Sequence, residues 1–177
     1  MLRTRLGVAL AVVVLLSAVT AAAQHPDDAF AGQKAPRLKS SEWINTAPLT
    51  LEELRGKVVL IDFWAYDCPE CAKTMPHLKE MHAKYARQGL VIIGVHTPRI
   101  DYEKDVDQVR LSVKEKGIEY PVTIDNEYLT WSDYLCAAWP THFVVDKDGT
   151  IQLSHTGIGR YEDTEKMIQK LLADKSN

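Results

Sequence analysis

Three cysteines stand in this chain, and two of them, Cys68 and Cys71, form a C-x-x-C pair. Sulfur at that spacing does one of two things. Acting in turn, the two cysteines exchange with a foreign disulfide: one thiolate attacks, and the other, a helical turn away, attacks the mixed disulfide and releases the partner. Acting together, they make half of a tetrahedral zinc site, which needs a second C-x-x-C or paired histidines at matching spacing. The remaining Cys136 stands alone, so the pattern favours redox chemistry over a metal. A lone cysteine is most often a small buried hydrophobe, although an odd one in an exported chain can be reactive.

The neighbouring residues show what must hold the pair. Val58-Val59-Leu60-Ile61-Asp62-Phe63-Trp64 is an almost continuous apolar run, the pattern of a strand buried on both faces of a parallel sheet. Asp62 is the one acid in it, and a carboxylate there is costly unless it is neutral or partnered. From Pro69 to Gln88, apolar Cys71, Met75, Leu78 and Tyr85 recur at helical spacing, with Gly89 placed to end the helix and Pro76 expected to kink it. Cys68 therefore begins a helix, where free backbone N–H groups favour a thiolate. On this reading Cys68 is the exposed nucleophile and Cys71 the buried resolver.

Val91-Ile92-Ile93-Gly94-Val95-His96 reads as a second buried strand, so strand, helix and strand imply a right-handed parallel crossover. Val106, Val109 and Val113 mark another helix, closed by Gly117, before a short strand at Val122 to Ile124. Thr141 to Val145 and Thr150 to His155 flank Asp146-Lys147-Asp148-Gly149, whose Asp-Gly pair signals an antiparallel hairpin. Met167, Ile168, Leu171 and Leu172 give a last helix one apolar face. The order predicts an α/β fold, a mixed central sheet with helices on both faces.

The chain has 177 residues, 46% of them apolar and 25% charged, and 21 Lys+Arg against 24 Asp+Glu give a net charge of -3. These values suit one globular domain plus a targeting segment. The slightly acidic balance and the absence of a Lys/Arg-rich run argue against nucleic-acid binding. Arg3 and Arg5 precede an uncharged stretch ending at Ala21-Ala22-Ala23, so residues 1–23 read as an export signal cleaved before Gln24. A retained anchor is the alternative, because a spanning helix needs roughly 17 to 25 residues. Residues 24–39, with Pro26, Gly32 and Pro36, read as a linker, and residues 40–177 as the domain. An exported chain meets oxidising conditions, in which a C-x-x-C pair can cycle.

Ile61-Asp62-Phe63-Trp64-Ala65 followed by Cys68-Pro69-Glu70-Cys71 resembles the active-site segment of the thioredoxin superfamily, and Trp139-Pro140-Thr141 resembles its cis-proline loop. The stretch from Val91-Ile92-Ile93-Gly94-Val95-His96-Thr97-Pro98 through Tyr120-Pro121-Val122 most resembles exported TlpA-like reductases of the DipZ-like branch, over nearly all of the mature chain. Tyr66-Asp67 departs from the pattern where many relatives carry a tryptophan before the first cysteine. The resemblance implies a thioredoxin fold with an N-terminal extension and a central insert. It also implies an extracytoplasmic thiol:disulfide oxidoreductase without a cofactor or metal. Its partners would be protein thiols and disulfides, possible substrates including apocytochromes, together with a membrane or periplasmic electron donor. The expected state is a monomer.

By the same resemblance, Asp62 takes the proton of Cys71 through a water, the alternative being a structural acid satisfied by backbone. Trp139-Pro140 is then cis and offers backbone to an extended substrate, whereas most X-Pro bonds are trans. Trp64, Pro69, Glu70 and His96 would complete the substrate surface. His96 ends its strand at the edge where ligands of parallel sheets gather, with a plain loop-start histidine as the alternative. His77 reads as a helix-surface residue. Two other functions are weighed on the same residues. A copper chaperone could use Cys68, Cys71 and His96, but copper-delivery relatives of this fold usually space their cysteines three apart. A peroxidase of this superfamily would carry a cysteine after Thr97-Pro98, where Arg99-Ile100-Asp101 stands instead. Asp67 and Glu70 place negative charge beside Cys68, which favours a reductant or isomerase over a strong oxidant.

Overall fold

The computed structural model describes residues 30–40 and 42–174; the segments read as an export signal and as the first part of a linker lie outside them. The continuous apolar run becomes β2, Val58–Trp64, buried at every position. It lies parallel to β3, Leu90–His96, in a register that sets Asp62 opposite Gly94 and Trp64 opposite His96. Between them runs α1, Pro69–Tyr85. A short 3-10 turn, Ala86–Gln88, follows, and Gly89 closes it in the left-handed conformation.

After β3, α2, Val106–Glu115, crosses over to β4, Val122–Ile124. Asp105 caps α2 by accepting the N–H groups of Asp107 and Gln108. The short helix α3, Leu129–Asp133, precedes β5, Thr141–Val145, and β6, Ile151–Thr156, and α4, Tyr161–Ala173, ends the described chain. A two-residue strand, β1, Trp43–Ile44, pairs with β4. The sheet order is β1-β4-β3-β2-β5-β6, with β5 antiparallel to both β2 and β6. In the β5–β6 turn, Asp146 Oδ1 accepts the N–H groups of Asp148 and Thr150, and Gly149 takes positive φ.

Alternation along β2 divides the core. Val58, Leu60 and Trp64 face α1, α2 and α4, whose Met75, Leu78, Val109, Val113, Ile168 and Leu171 join the same apolar cluster. Val59, Ile61 and Phe63 face the opposite side, against Tyr134, Phe143 and Ile151, with Phe30 and Trp131 packed on them. Both faces are covered, but the three long helices share one of them.

Residues 30–39 are not a linker. Phe30 meets Phe143 edge-on at 5.5 Å, Gly32 N–H donates to Ile151 O, Ala35 N–H donates to Gly149 O, and Lys34 bridges Thr150. Gly32 and Pro36 shape a docked strap, and the aromatic at its start supplies the anchoring contact. Among the described residues no helix is long and apolar enough to cross a membrane.

Candidate active site

β2 delivers the chain to Ala65, and Tyr66 and Asp67 turn it into α1. Cys68 is the N-cap in extended conformation, its Sγ accepting the Cys71 N–H at 3.1 Å. Pro69 occupies the first helical turn, where its missing N–H removes no helical bond. Cys68 and Cys71 form a disulfide with their Cα atoms 5.2 Å apart. Both cysteines are only 2% exposed, so the expected contrast between an exposed and a buried sulfur is absent in this oxidised form. The reason is cover from above: both belong to the cluster containing Trp64 and Ala65, with Tyr66 and Trp139 packed against it. What distinguishes them is the helix terminus, since Cys68 Sγ receives the N–H and Cys71 Sγ does not.

The Trp139–Pro140 peptide bond is cis. Pro140 is buried and its carbonyl accepts the Gly157 N–H at 2.8 Å, while Trp139 is half-buried and donates Nε1–H to Thr97 O at 2.9 Å. Trp139 also stacks on Trp131, ring centroids 4.1 Å apart. Trp131 is held in turn by Asp125, a buried carboxylate accepting the N–H groups of Thr130 and Trp131 at the start of α3. Burial raises the Asp125 carboxyl above its ordinary range, against the opposing pull of these donors. Trp131 and Asp125 thus brace the cis-proline loop through Trp139, which packs against the cluster that holds the disulfide.

Trp64 and His96 are not substrate contacts. They are 1% and 0% exposed, because the register that pairs them turns both rings inward beneath the active-site loop. His96 Nε2 accepts the Tyr66 N–H at 3.2 Å, and its ring stacks on Tyr66 and meets Trp64 edge-on. Burial pushes His96 down to about 3, so it is neutral and supports the loop from behind. Gly94 permits this packing: a Cβ there would fall 2.9 Å from Trp64 Nε1. Pro69 and Glu70 are exposed, and His77 is half-buried with its ring 4.3 Å from Tyr161. Cys136 is half-buried against the aromatic cluster, and burial raises its thiol well above the ordinary range, so it behaves as a small hydrophobe.

The loop after β3 grips the residues ahead of Cys68, a contact not legible in the motif. Arg99 Nη2 donates to Asp67 O at 2.7 Å, Tyr102 Oη donates to the Asp67 carboxylate, and Tyr66 Oη donates to Tyr102 O. The Asp67 hydrogen bond pushes the Tyr102 hydroxyl up to about 12. Arg99 is itself paired with Glu103, a carboxylate with no exposure. A charged residue inside the 3-10 turn Asp101–Lys104 gives no sequence pattern that distinguishes it from a solvated one.

Asp62 is 1% exposed, on the α1 side of β2. Opposite it in the β5 register is His142, whose Nε2 lies 3.2 Å from Asp62 Oδ1. His142 is 6% exposed and stacks on its β6 partner His155 with the rings 6.2 Å apart and nearly parallel. His142 belongs to no motif of the chain. Its alternation with Val144, an inward residue of the same strand, was the available signal.

This fold and site have close counterparts. Residues 31–154 match the family model described as the AhpC/TSA family. DipZ of Mycobacterium bovis is 42% identical over 79% of this chain, which spans 21% of that protein, so the chain corresponds to about one-fifth of its length. The thiol-disulfide oxidoreductase ResA of Bacillus cereus is 30% identical over 79% of this chain and 78% of its own. The crystal structure of a thiol-disulfide isomerase from Corynebacterium glutamicum superposes with a TM-score of 0.70 at 25% identity, covering 80% of this chain and 98% of the other. The chain belongs to the AhpC/TSA family of the thioredoxin superfamily, among the TlpA-like thiol-disulfide oxidoreductases near DipZ and ResA.

Proposed function

We propose that this chain exchanges its Cys68–Cys71 dithiol with protein disulfides outside the cytoplasm, acting as a reductant or isomerase. The observation that carries the reading is a closed C-x-x-C disulfide at a helix N-terminus, with the second-cysteine side of the sheet holding a buried carboxylate and a cis-proline loop packed against the same cluster. In the reducing direction, the Cys68 thiolate attacks a substrate disulfide and a substrate sulfur leaves as thiolate. Asp62 then accepts the Cys71 proton. The Cys71 thiolate attacks Cys68 Sγ, the bond from Cys68 to the substrate breaks, and the second substrate sulfur leaves with the bonding electrons and takes up a proton. The substrate gains two electrons and the protein keeps a disulfide. A membrane or periplasmic dithiol donor restores it.

The direction of exchange follows from charge. A stabilised thiolate favours the reduced form and makes an oxidant. Here the helix terminus favours the Cys68 thiolate, while Asp67 and Glu70 oppose it. Arg99 touches the Asp67 carbonyl but is neutralised by Glu103, so the carboxylates keep the local balance negative. Export rests on residues 1–23, and a role in cytochrome c maturation rests on the TlpA-like pattern. Arg99-Ile100-Asp101 follows Thr97-Pro98 where a peroxidatic cysteine would stand, so the peroxidase reading lacks its nucleophile at that position.

Equilibration of the protein against glutathione or dithiothreitol buffers tests the direction. A potential near about -270 mV supports a reductant, and one near about -120 mV rejects it. Intact mass after native expression tests export, since cleavage before Gln24 yields a chain without residues 1–23. Partners caught on a Cys71→Ala variant identify the substrates, apocytochromes among them.

A further inference from the structure

The active-site carboxylate is incompletely satisfied by the fold. Asp62 Oδ1 is buried and receives no hydrogen bond, yet it lies 3.2 Å from Nε2 of His142, within ion-pair reach. An unpaired carboxylate at this depth would be held protonated, and a protonated Asp62 could not accept the Cys71 proton. Both side chains project from the sheet face that carries Cys71: Leu60 and Trp64 flank Asp62 on β2, Val144 follows His142 on β5, and all three apolar residues share the cluster of Cys71.

We propose that His142 is the positioning residue of the buried acid: its Nε2–H, backed by the stacked ring of His155, aims the Asp62 carboxylate and keeps it ionised to receive the proton of Cys71. This rests on the thiol–disulfide reading above and adds a residue to it. The other titratable groups around the pair constrain the charge it can hold. Tyr120, wholly buried ahead of β4, is pushed further from ionisation by burial first and then by the charge of Asp62. Toward α4, Arg160 Nη1 reaches Ser154 O at 3.4 Å on the strand that carries His155. On α1, His77 packs on Tyr161. Arg160 is itself paired with Asp163 at 3.3 Å, so it adds no uncompensated charge beside the imidazoles, and Asp62 is the acid that His142 faces directly. Proton and electron bookkeeping in the resolving step is unchanged: the proton passes from Cys71 to Asp62 and on to the departing thiolate, while His142 stays in place.

The experiment uses the full chain and two readouts. In a His142→Phe variant, the pH profile of mixed-disulfide resolution should move up by roughly one unit, and the carboxyl carbon of Asp62, followed by NMR, should titrate at correspondingly higher pH. His142→Gln, which keeps an N–H donor, should recover most of both shifts. Reciprocally, Asp62→Asn should lower the pH at which the His142 ring titrates, and this variant serves if His142→Phe does not fold. A folded His142→Phe protein with the wild-type pH profile and Asp62 titration overturns the proposal, as does a His142 titration indifferent to Asp62→Asn. If the wild-type chain exchanges no disulfides while the two titrations remain coupled, the exchange reading fails and the pairing stands.

Discussion

The two faces of β2 solve different problems with neighbouring residues. On one side, Phe63 sits among Tyr134, Phe143 and Trp131, ring centroids 5.2, 5.9 and 5.9 Å away, and the strand residues there carry no charge. On the other, one residue earlier, Asp62 faces His142 with His155 and Tyr120 near. The aromatic face supplies stability through buried area and edge-to-face packing. The polar face holds groups whose burial costs free energy, and it lies on the side of the sheet that carries the disulfide. One strand therefore separates the aromatic packing that holds the fold from the buried polar groups on the disulfide's side of the sheet.

The sharpest way to break this contrast is Asp62→Asn, which should slow the resolving step about 10²- to 10⁴-fold, far beyond what any change in the folded fraction accounts for. Stopped-flow release of a mixed disulfide, set beside a melting curve, checks both the rate and the folded fraction. If the rate holds and the melting point falls, Asp62 is a structural acid. Next comes Phe143→Ala on the aromatic face, expected to cost about 3 to 5 kcal/mol in denaturant unfolding with exchange per folded molecule unaltered.

A third effect arises from His96, neutral in the folded chain down to about pH 3 and protonated near pH 6.5 once unfolded. Between those values the unfolded chain binds more protons, so stability falls as pH drops through that window, by roughly 3 kcal/mol from pH 7 to pH 4. Unfolding measured across that range in His96→Gln should show a shallower slope than the parent. The smallest effect belongs to the charges before and after Cys68: joint Asp67→Asn and Glu70→Gln substitution should raise the reduction potential by no more than about 30 mV, given solvent screening. A downward move would contradict the local-charge argument.

Local patterns made the positions of the disulfide and its supporting elements legible. The apolar run of β2, the helix start at Cys68, the Asp-Gly turn and the Trp139-Pro140 pair are each short-range signals. Contacts that depend on strand order were hidden. His142 meets Asp62 only because β5 inserts beside β2, eighty positions along the chain, and hydrophobic alternation within one strand does not say which strand lies next to it. Trp64 and His96 were misplaced for a related reason: both end strands at the correct edge, but the parallel register turns their rings into the core. Arg99 and Tyr102 gripping Asp67, and Glu103 buried beneath them, arise from loop geometry without periodicity. The two-residue β1 and five-residue α3 are too short to leave a pattern at all.

The docked strap has a consequence for how the chain survives its own synthesis. β6 ends the sheet on one side, and an end strand presents unpaired amides and carbonyls on which another molecule can nucleate. Gly32, Gln33 and Ala35 occupy the opening of that strand and the turn before it. They are made first and their partners more than a hundred residues later, as the Lys34–Thr150 contact shows. Until the β5–β6 hairpin emerges, the guard has nothing to cover, and a chain shortened past Ala35 would never regain it. Self-association of newly made or truncated molecules should therefore begin along β6, and light scattering of a chain starting at Pro36 should rise with concentration where the full chain stays clear.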